Sequence, residues 1–253
     1  EDDGLDDFIP DLKKINSAGR HLLGLINDIL DLSKIEAGKM ELFLEDIHLR
    51  TLITEVIDTS KPLVDKNHNT LFLNFSDDID IIHGDTLKIK QAMFNLISNA
   101  AKFTDNGTIN VDVSSITKND VACVKLSVSD SGIGIPLNKL GKIFEEFTQA
   151  DDSTTKDYGG TGLGLPLSLR FCHLMGGDLT VTSDKGKGSI FTIVIPSKII
   201  IEEKIESDYQ DENSHVVDQY QQSVLVIDDD AHSRDLLQRY LEKENYKVYL
   251  ADN

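Results

Sequence analysis

Apolar residues return every three or four positions along the first part of the chain: Ile15, Ala18, Leu22, Leu25, Ile29, Leu32 and Ile35. That spacing predicts a helix over 8–42 with a coiled-coil-like seam. Leu23, Ile26 and Leu30 widen the seam, so the helix is expected to pack on more than one neighbour. Gly19, Gly24 and Gly38 argue against one straight rod. A second helix is predicted over 49–66. The run 70–75 (TLFLNF) alternates like a strand, and 79–82 (IDII) reads as a short one. Asp85 has the place of an N-cap for a helix to Phe103, with Leu87, Ile89, Met93, Leu96, Ile97 and Ala100 apolar. After the turn Asp105–Gly107 come two long alternating strands, 108–116 and 121–130. A helix near 165–175 precedes two further strands, DLTVTSD and SIFTIVIP, with KGKG between them. The order predicts an α+β class: a two-layer sandwich with a mixed sheet and helices on one face, preceded by a long helix.

The sheet pattern ends at Pro196. Residues 198–222 are polar and acidic and read as a linker. Within them KIIIEEKI fits either an extension of the last strand or a short helix. A new pattern starts at Ser223. SVLVI is a continuous apolar run ending in three aspartates, followed by a helical stretch and YKVYLAD, the start of another strand. That is the opening of a parallel α/β unit.

Composition narrows the classes of partner. The 253 residues carry a formal charge of −19, which leaves no basic stripe for nucleic acid. No run approaches the roughly 18 apolar residues of a membrane helix. Cys123 and Cys172 lack metal-ligand spacing and read as small core residues, in keeping with a reducing cytoplasm.

The stretch DYGGTGLGLPL (157–167) places four glycines within six residues. A dinucleotide loop would follow a strand with the spacing GxGxxG. Here a polar run precedes Gly160-x-Gly162-x-Gly164. The phosphate loop of NTPases needs GK followed by Ser or Thr, which GKGS at 186–189 breaks. What remains is a bare backbone in front of a helix whose first turn holds Pro166, an arrangement suited to an anion.

Other segments make the reading specific. NLISNAAKF (95–103), DSGIGIP (130–136), IFEEFTQAD (143–151), GGTGLGL (159–165) and GKGSIF (186–191) occur in that order. Together they resemble the N, G1, F, G2 and G3 boxes of a histidine kinase ATP-binding domain. That fold is shared with the ATPase domains of gyrase and the large heat-shock chaperone. The resemblance covers residues 49–196.

Asn95 and Asn99 lie on one face of a helix, and an amide oxygen is a hard ligand suited to Mg²⁺. The resemblance implies that Asn99 holds Mg²⁺ with Asn95 assisting, and that Lys102 meets a phosphate. Relatives that hydrolyse ATP carry Glu as the base at the position of Asn95. An amide there suits an enzyme that keeps ATP intact until a histidine arrives. Asp130, at a strand end, is implied to accept from the adenine amino group. Gly132, Gly134 and Ile135 bring backbone to the ring, and Phe144 and Phe147 anchor a lid over the nucleotide. The lid and its hinge would supply Lys156, Tyr158, Gly160, Thr161, Gly162, Leu163, Gly164 and Leu165 to ATP. Many relatives have Arg where this chain has Lys156, so the bidentate fork is missing from the γ-phosphate contact.

The first helix resembles the second helix of a dimerisation and histidine-phosphotransfer hairpin. None of the seven histidines has the phospho-acceptor context, so the acceptor is expected outside the chain. The last segment resembles the start of a receiver domain, with Asp228 and Asp229 as its Mg²⁺-binding acidic pair and its phospho-accepting Asp also outside. The expected organisation is hairpin helix 1–45, ATP-binding domain 46–197, linker 198–222 and receiver fragment 223–253. The resemblance implies a hybrid sensor histidine kinase fragment that uses ATP and Mg²⁺. Its partners would be a second copy through the hairpin, a receiver domain in cis and a downstream phosphotransfer protein, with no nucleic acid. The fragment is expected in the cytoplasm, and a membrane anchor in the full-length protein stays open. Two rivals are a hydrolysing ATPase of the same fold and a degenerate kinase that serves as a scaffold.

Overall fold

The computed structural model describes residues 9–76, 81–147, 162–199, 223–227, 234, 237–239, 241 and 246–251. The chain divides into two compact units, 1–201 and 202–253.

In the first unit, helix α1 (Ile9–Glu36) ends nearly two turns earlier than the periodicity suggests. Gly38 takes φ +65° and its N–H donates to the Ile35 carbonyl, while Lys39 N–H donates to Lys34. That pair of bonds closes the last turn and turns the chain out of the helix. Most of the apolar seam of α1 is exposed among the described residues: Ile15, Leu22, Leu23, Ile26, Ile29 and Leu30. Its last turns meet the core, through buried Leu32 and half-buried Ile35.

Strand β1 (Glu45–His48) leads into α2 (Leu49–Lys66), then β2 (Thr70–Phe75) and β3 (Ile81–Gly84). The sequence pattern did not anticipate β1, and it set β3 over 79–82. The two strands pair antiparallel, with Ile47 opposite Ile82. Asp85 caps α3 (Thr86–Phe103) as expected, accepting from Lys88 N–H at 3.0 Å. Next come β4 (Thr108–Lys118), β5 (Val121–Asp130), the short α4 (Leu137–Leu140), α5 (Gly164–Leu174), β6 (Asp178–Asp184) and β7 (Gly188–Pro196).

The main sheet has the order β2-β4-β5-β7-β6, with β2 and β4 parallel and every other pair antiparallel. Its inner face presents Ile109, Val111 and Val113 from β4, Val124, Leu126 and Val128 from β5, and Phe191, Ile193 and Ile195 from β7. These pack against Leu52, Ile53 and Val56 of α2, Met93, Leu96 and Ile97 of α3, and Phe171 of α5. The outer face is polar and cross-linked, with Asn74 donating to Asp112 at 2.8 Å and Ser127 bonded to Thr192 at 3.2 Å. The two-layer mixed architecture expected from the pattern is therefore the one observed. Past Pro196 the chain stays extended: Lys198 bridges to His83, and Ile199 is buried in the core.

Helix α1 is tied to this sandwich by a charge. Lys88, 8% exposed, places its ammonium 3.1 Å from Asp31 of α1 and 4.4 Å from the centre of the Phe171 ring. Asp28, one turn earlier on α1, has its pKa raised by burial and by the neighbouring Asp31 charge.

In the second unit, β8 (Ser223–Ile227) and β9 (Lys247–Ala251) run parallel, with Val224 opposite Val248. That is the predicted opening of a parallel α/β unit. Among the described residues no helix is long and apolar enough to cross a membrane.

Candidate functional site

The site grows from one end of α3 and the end of β5. Val124, Leu126 and Val128 point inward, and the same two-residue period makes Asp130 an inward position. A carboxylate therefore sits on the helix-covered face of the sheet. Its pKa is raised by burial, opposed by hydrogen bonds from the Gly132 backbone and from Ser189 and by the nearby Thr104 hydroxyl. Gly132 N–H donates to its Oδ1 at 2.8 Å. Ser189, opposite it in the β5–β7 ladder, is buried.

Beside this carboxylate lies Thr104, the C-cap of α3. The Thr104 hydroxyl favours the ionised form of Asp130 electrostatically. Among the described residues, however, its buried Oγ1 is the side-chain oxygen or nitrogen that no hydrogen bond satisfies. A buried hydroxyl left unpaired costs about 1–3 kcal/mol. A side chain kept in that state beside a half-buried acceptor fits a ligand whose polar edge meets both. The adenine of ATP, with an amino donor next to a ring acceptor, has that edge.

The loop after Asp130 is held by backbone. Ile133 N–H donates to Phe103 O at 3.2 Å, Gly186 N–H to Ile133 O at 2.7 Å, and Ile135 N–H to the Ser183 hydroxyl at 2.8 Å. Its glycines serve that packing. A Cβ on Gly132 would lie 2.3 Å from Phe103 O and 2.8 Å from Thr104 Oγ1. Gly134, at φ +64°, would meet the Asp184 carbonyl at 2.0 Å. Bare backbone at 134 is thus required by the β6–β7 turn, a reason that the expectation of a ring contact did not contain.

Along α3, Asn95, Asn99 and Lys102 are half-buried positions on the rim of a buried stripe. Burial lowers the Lys102 pKa below the ordinary lysine value, and its ammonium lies 4.8 Å from the centre of the Phe103 ring. The two amides are linked: Asn99 Nδ2 donates to Asn95 Oδ1 at 3.3 Å, and Asn95 Nδ2 donates to the Ser168 hydroxyl of α5 at 3.0 Å. Asn99 Oδ1 is the hard oxygen left for a cation. One amide oxygen among waters and phosphates suits Mg²⁺, which keeps much of its hydration. No group of three or more His, Cys, Asp or Glu side chains among the described residues has the makings of a metal site.

The glycine stretch ends here. Gly162 takes φ +70°, and Leu163, Gly164 and Leu165 open α5 without a side-chain cap. Leu163 is buried and Leu165 packs on the core. Phe144 is half-buried against the core, whereas Phe147 is 66% exposed. Lys156, Tyr158, Gly160 and Thr161, and Asp228 and Asp229, lie outside the described residues.

Three residues of this arrangement escaped sequence reading: Thr104, Ser168 and Ser189. Each is a small hydroxyl that meets a site residue distant in sequence, so no local spacing signals it. Only Ser189 stood inside a quoted motif, GKGSIF.

Residues 84–199 match the family described as "Histidine kinase-, DNA gyrase B-, and HSP90-like ATPase". The chain is 42% identical over 194 residues to "Hybrid signal transduction histidine kinase B" of Dictyostelium discoideum, covering 74% of this chain and 10% of that protein. It is 41% identical over 194 residues to "Circadian input-output histidine kinase CikA" of Synechococcus elongatus, covering 76% of this chain and 25% of that protein. The chain thus spans a quarter or less of the length of these two relatives. Among solved structures, full-length ShkA in complex with AMPPNP matches with a TM-score of 0.65 and 25% identity, over 96% of this chain and 48% of that one. With its five ordered boxes, its two-layer sheet and these relatives, the chain belongs to the histidine kinase-, gyrase B- and HSP90-like ATPases, on the histidine kinase side of that family.

Proposed function

We propose that this chain is the nucleotide-binding part of a hybrid sensor histidine kinase. It binds Mg-ATP and presents the γ-phosphoryl group to a histidine, from which the group passes to a receiver aspartate. The observation that carries the reading is the amide at position 95. Asn95 is engaged as donor to Ser168 and as acceptor from Asn99. It has no basic atom with which to activate water, which is what a kinase that must hold ATP intact requires.

The geometry of the described residues supports the following roles. Asp130 accepts from the base amino group, and Thr104 and Ser189 complete that edge. Lys102 faces the phosphates, where its partial burial strengthens the attraction to an anion. Asn99 Oδ1 would hold Mg²⁺, which would supply positive charge against the phosphates. Lys156 and Tyr158, with Gly160, Thr161 and Gly162, would form the lid, and Leu163, Gly164 and Leu165 its hinge. Transfer forms a bond between histidine nitrogen and γ-phosphorus and breaks the bond from that phosphorus to the β–γ bridging oxygen, so ADP leaves. Positioning and charge stabilisation carry such a step.

The exposed seam of α1 supports a hairpin helix that pairs with another helix and with a second copy. The parallel β8–β9 pair supports a receiver start, with Asp228 and Asp229 as its acidic pair. The organisation is then hairpin helix 1–45, ATP-binding domain 46–197, linker 198–222 and receiver fragment 223–253, acting in the cytoplasm.

Incubating the full-length protein with γ-labelled ATP tests the reading. Label on the histidine should be acid-labile and base-stable, and Asn99→Ala should abolish it. Steady release of phosphate with no labelled protein would overturn the proposal in favour of a hydrolysing ATPase.

A further inference from the structure

The orientation of an Asn side chain decides whether it offers a cation an oxygen or an NH₂ group. At Asn99 that choice is set from a different helix. Ser168 of α5 is 2% exposed, and its hydroxyl donates to the Gly164 carbonyl at 2.8 Å. A serine hydroxyl has one proton. With that proton committed, Ser168 Oγ can only accept from the Asn95 amide 3.0 Å away, so the group facing it must be the NH₂. The Asn95 oxygen is thereby turned toward Asn99 and can only accept, so Asn99 presents its NH₂ inward at 3.3 Å. Its own Oδ1 is left on the opposite side. Four residues, Gly164, Ser168, Asn95 and Asn99, form a one-way relay in which each amide is fixed by the one before. Gly164 contributes twice, supplying the carbonyl that takes the Ser168 proton and lacking a Cβ that would stand 2.3 Å from Asn95 Oδ1.

We infer that Ser168 is a positioning residue for the cation: it fixes the amide orientation of Asn99 through Asn95, so that an oxygen faces Mg²⁺. The inference rests on the proposed role of Asn99 as the Mg²⁺ ligand. Without the Ser168 acceptor the Asn95 amide is free to invert. Its NH₂ would then face Asn99, whose oxygen would turn inward to accept and whose NH₂ would face the cation. Contacts to the base, made by Asp130 and Thr104, lie outside the relay. Loss of the hydroxyl therefore acts on metal-dependent binding and spares metal-free binding.

The test is calorimetric titration of the chain with ATP across a magnesium series, for wild type, Ser168→Ala and Ser168→Thr. Ser168→Ala should bind ATP without metal as wild type does and lose the tightening by Mg²⁺ by about tenfold, the usual scale for residues that orient a metal ligand. Ser168→Thr, which keeps the hydroxyl, should retain the wild-type magnesium dependence. Undiminished tightening in Ser168→Ala would overturn the inference. So would an equal loss of metal-free and metal-bound affinity with a lowered melting temperature, which marks a merely structural hydroxyl. Should Ser168→Ala not fold, a Ser168→Thr protein that binds ATP without metal but has lost the magnesium response overturns it equally. Wild-type ATP binding indifferent to magnesium would refute the Asn99 assignment itself, and this inference with it.

Discussion

Replacing Gly164 with alanine pits two effects of known sign against each other. Unlike Gly162 at φ +70°, Gly164 lies within α5 with no left-handed backbone, so the backbone accepts alanine without strain. At this first helical position propensity favours the substitution by less than the about 1 kcal/mol of a helix interior. Against it, the new Cβ would stand 2.3 Å from Asn95 Oδ1 and 2.9 Å from its Cγ. To reach an ordinary 3.4 Å contact the amide oxygen must retreat by about 1.1 Å. The Asn99–Asn95 hydrogen bond is already 3.3 Å long and does not survive such a shift in its acceptor. Loss of one ordinary hydrogen bond costs about 1 kcal/mol. The two terms partly cancel, so the melting temperature should stay within about 4 °C of wild type. The affinity for ATP in the presence of Mg²⁺ should nonetheless fall about tenfold, because the orientation of Asn99 is lost. Differential scanning calorimetry and isothermal titration on the same preparation give both numbers. Unchanged Mg-ATP affinity, or collapse of the fold by more than 10 °C, would refute this account of why glycine stands there.

Further outcomes are expected elsewhere. Asp130→Asn should weaken ATP binding about ten- to hundredfold, the 1.5–3 kcal/mol of a hydrogen bond to a charged group, measured by calorimetry. The same variant should be more stable than wild type at neutral pH without nucleotide. Burial raises the Asp130 pKa above 3.8, so its contribution to stability is complete below that value and is lost as pH rises through the folded-state pKa. ATP binding runs the other way, weakening as pH falls through the raised pKa and protonates the acceptor. Lys102→Met should reduce affinity for ATP more than for adenosine, compared by competition titration. Asp31→Asn removes the partner of a nearly buried ammonium and should destabilise the first unit by about 1.5–3 kcal/mol in urea unfolding.

Much of the fold was legible because its elements obey local rules. Asp85 announced α3 as an acidic cap ahead of a three-four pattern. Val124, Leu126 and Val128 mark the inner face of β5, the face on which Asp130 stands half-buried. Strand β1 was not legible, since EDIH holds a single inward apolar residue, Ile47, and takes its shape from β3. Exposure of the α1 seam was equally hidden, because periodicity reports which face is apolar and not what covers it. At the site, sequence resemblance located Asn95, Asn99, Lys102 and Asp130. The hydroxyls that orient and complete them are set by long-range contacts, as between Asn95 and Ser168, which are 73 residues apart. The glycines divide along the same line. Gly134 is needed by the turn beside it, and Gly164 by an amide on another helix.

The central claim is that this site binds Mg-ATP and holds it unreacted. Titrating the purified chain with ATP in magnesium, and recovering the nucleotide afterwards, tests it most directly. The account predicts saturable one-to-one binding with the ATP recovered intact. Absence of binding, or recovery of ADP and free phosphate with no protein acceptor present, would contradict it.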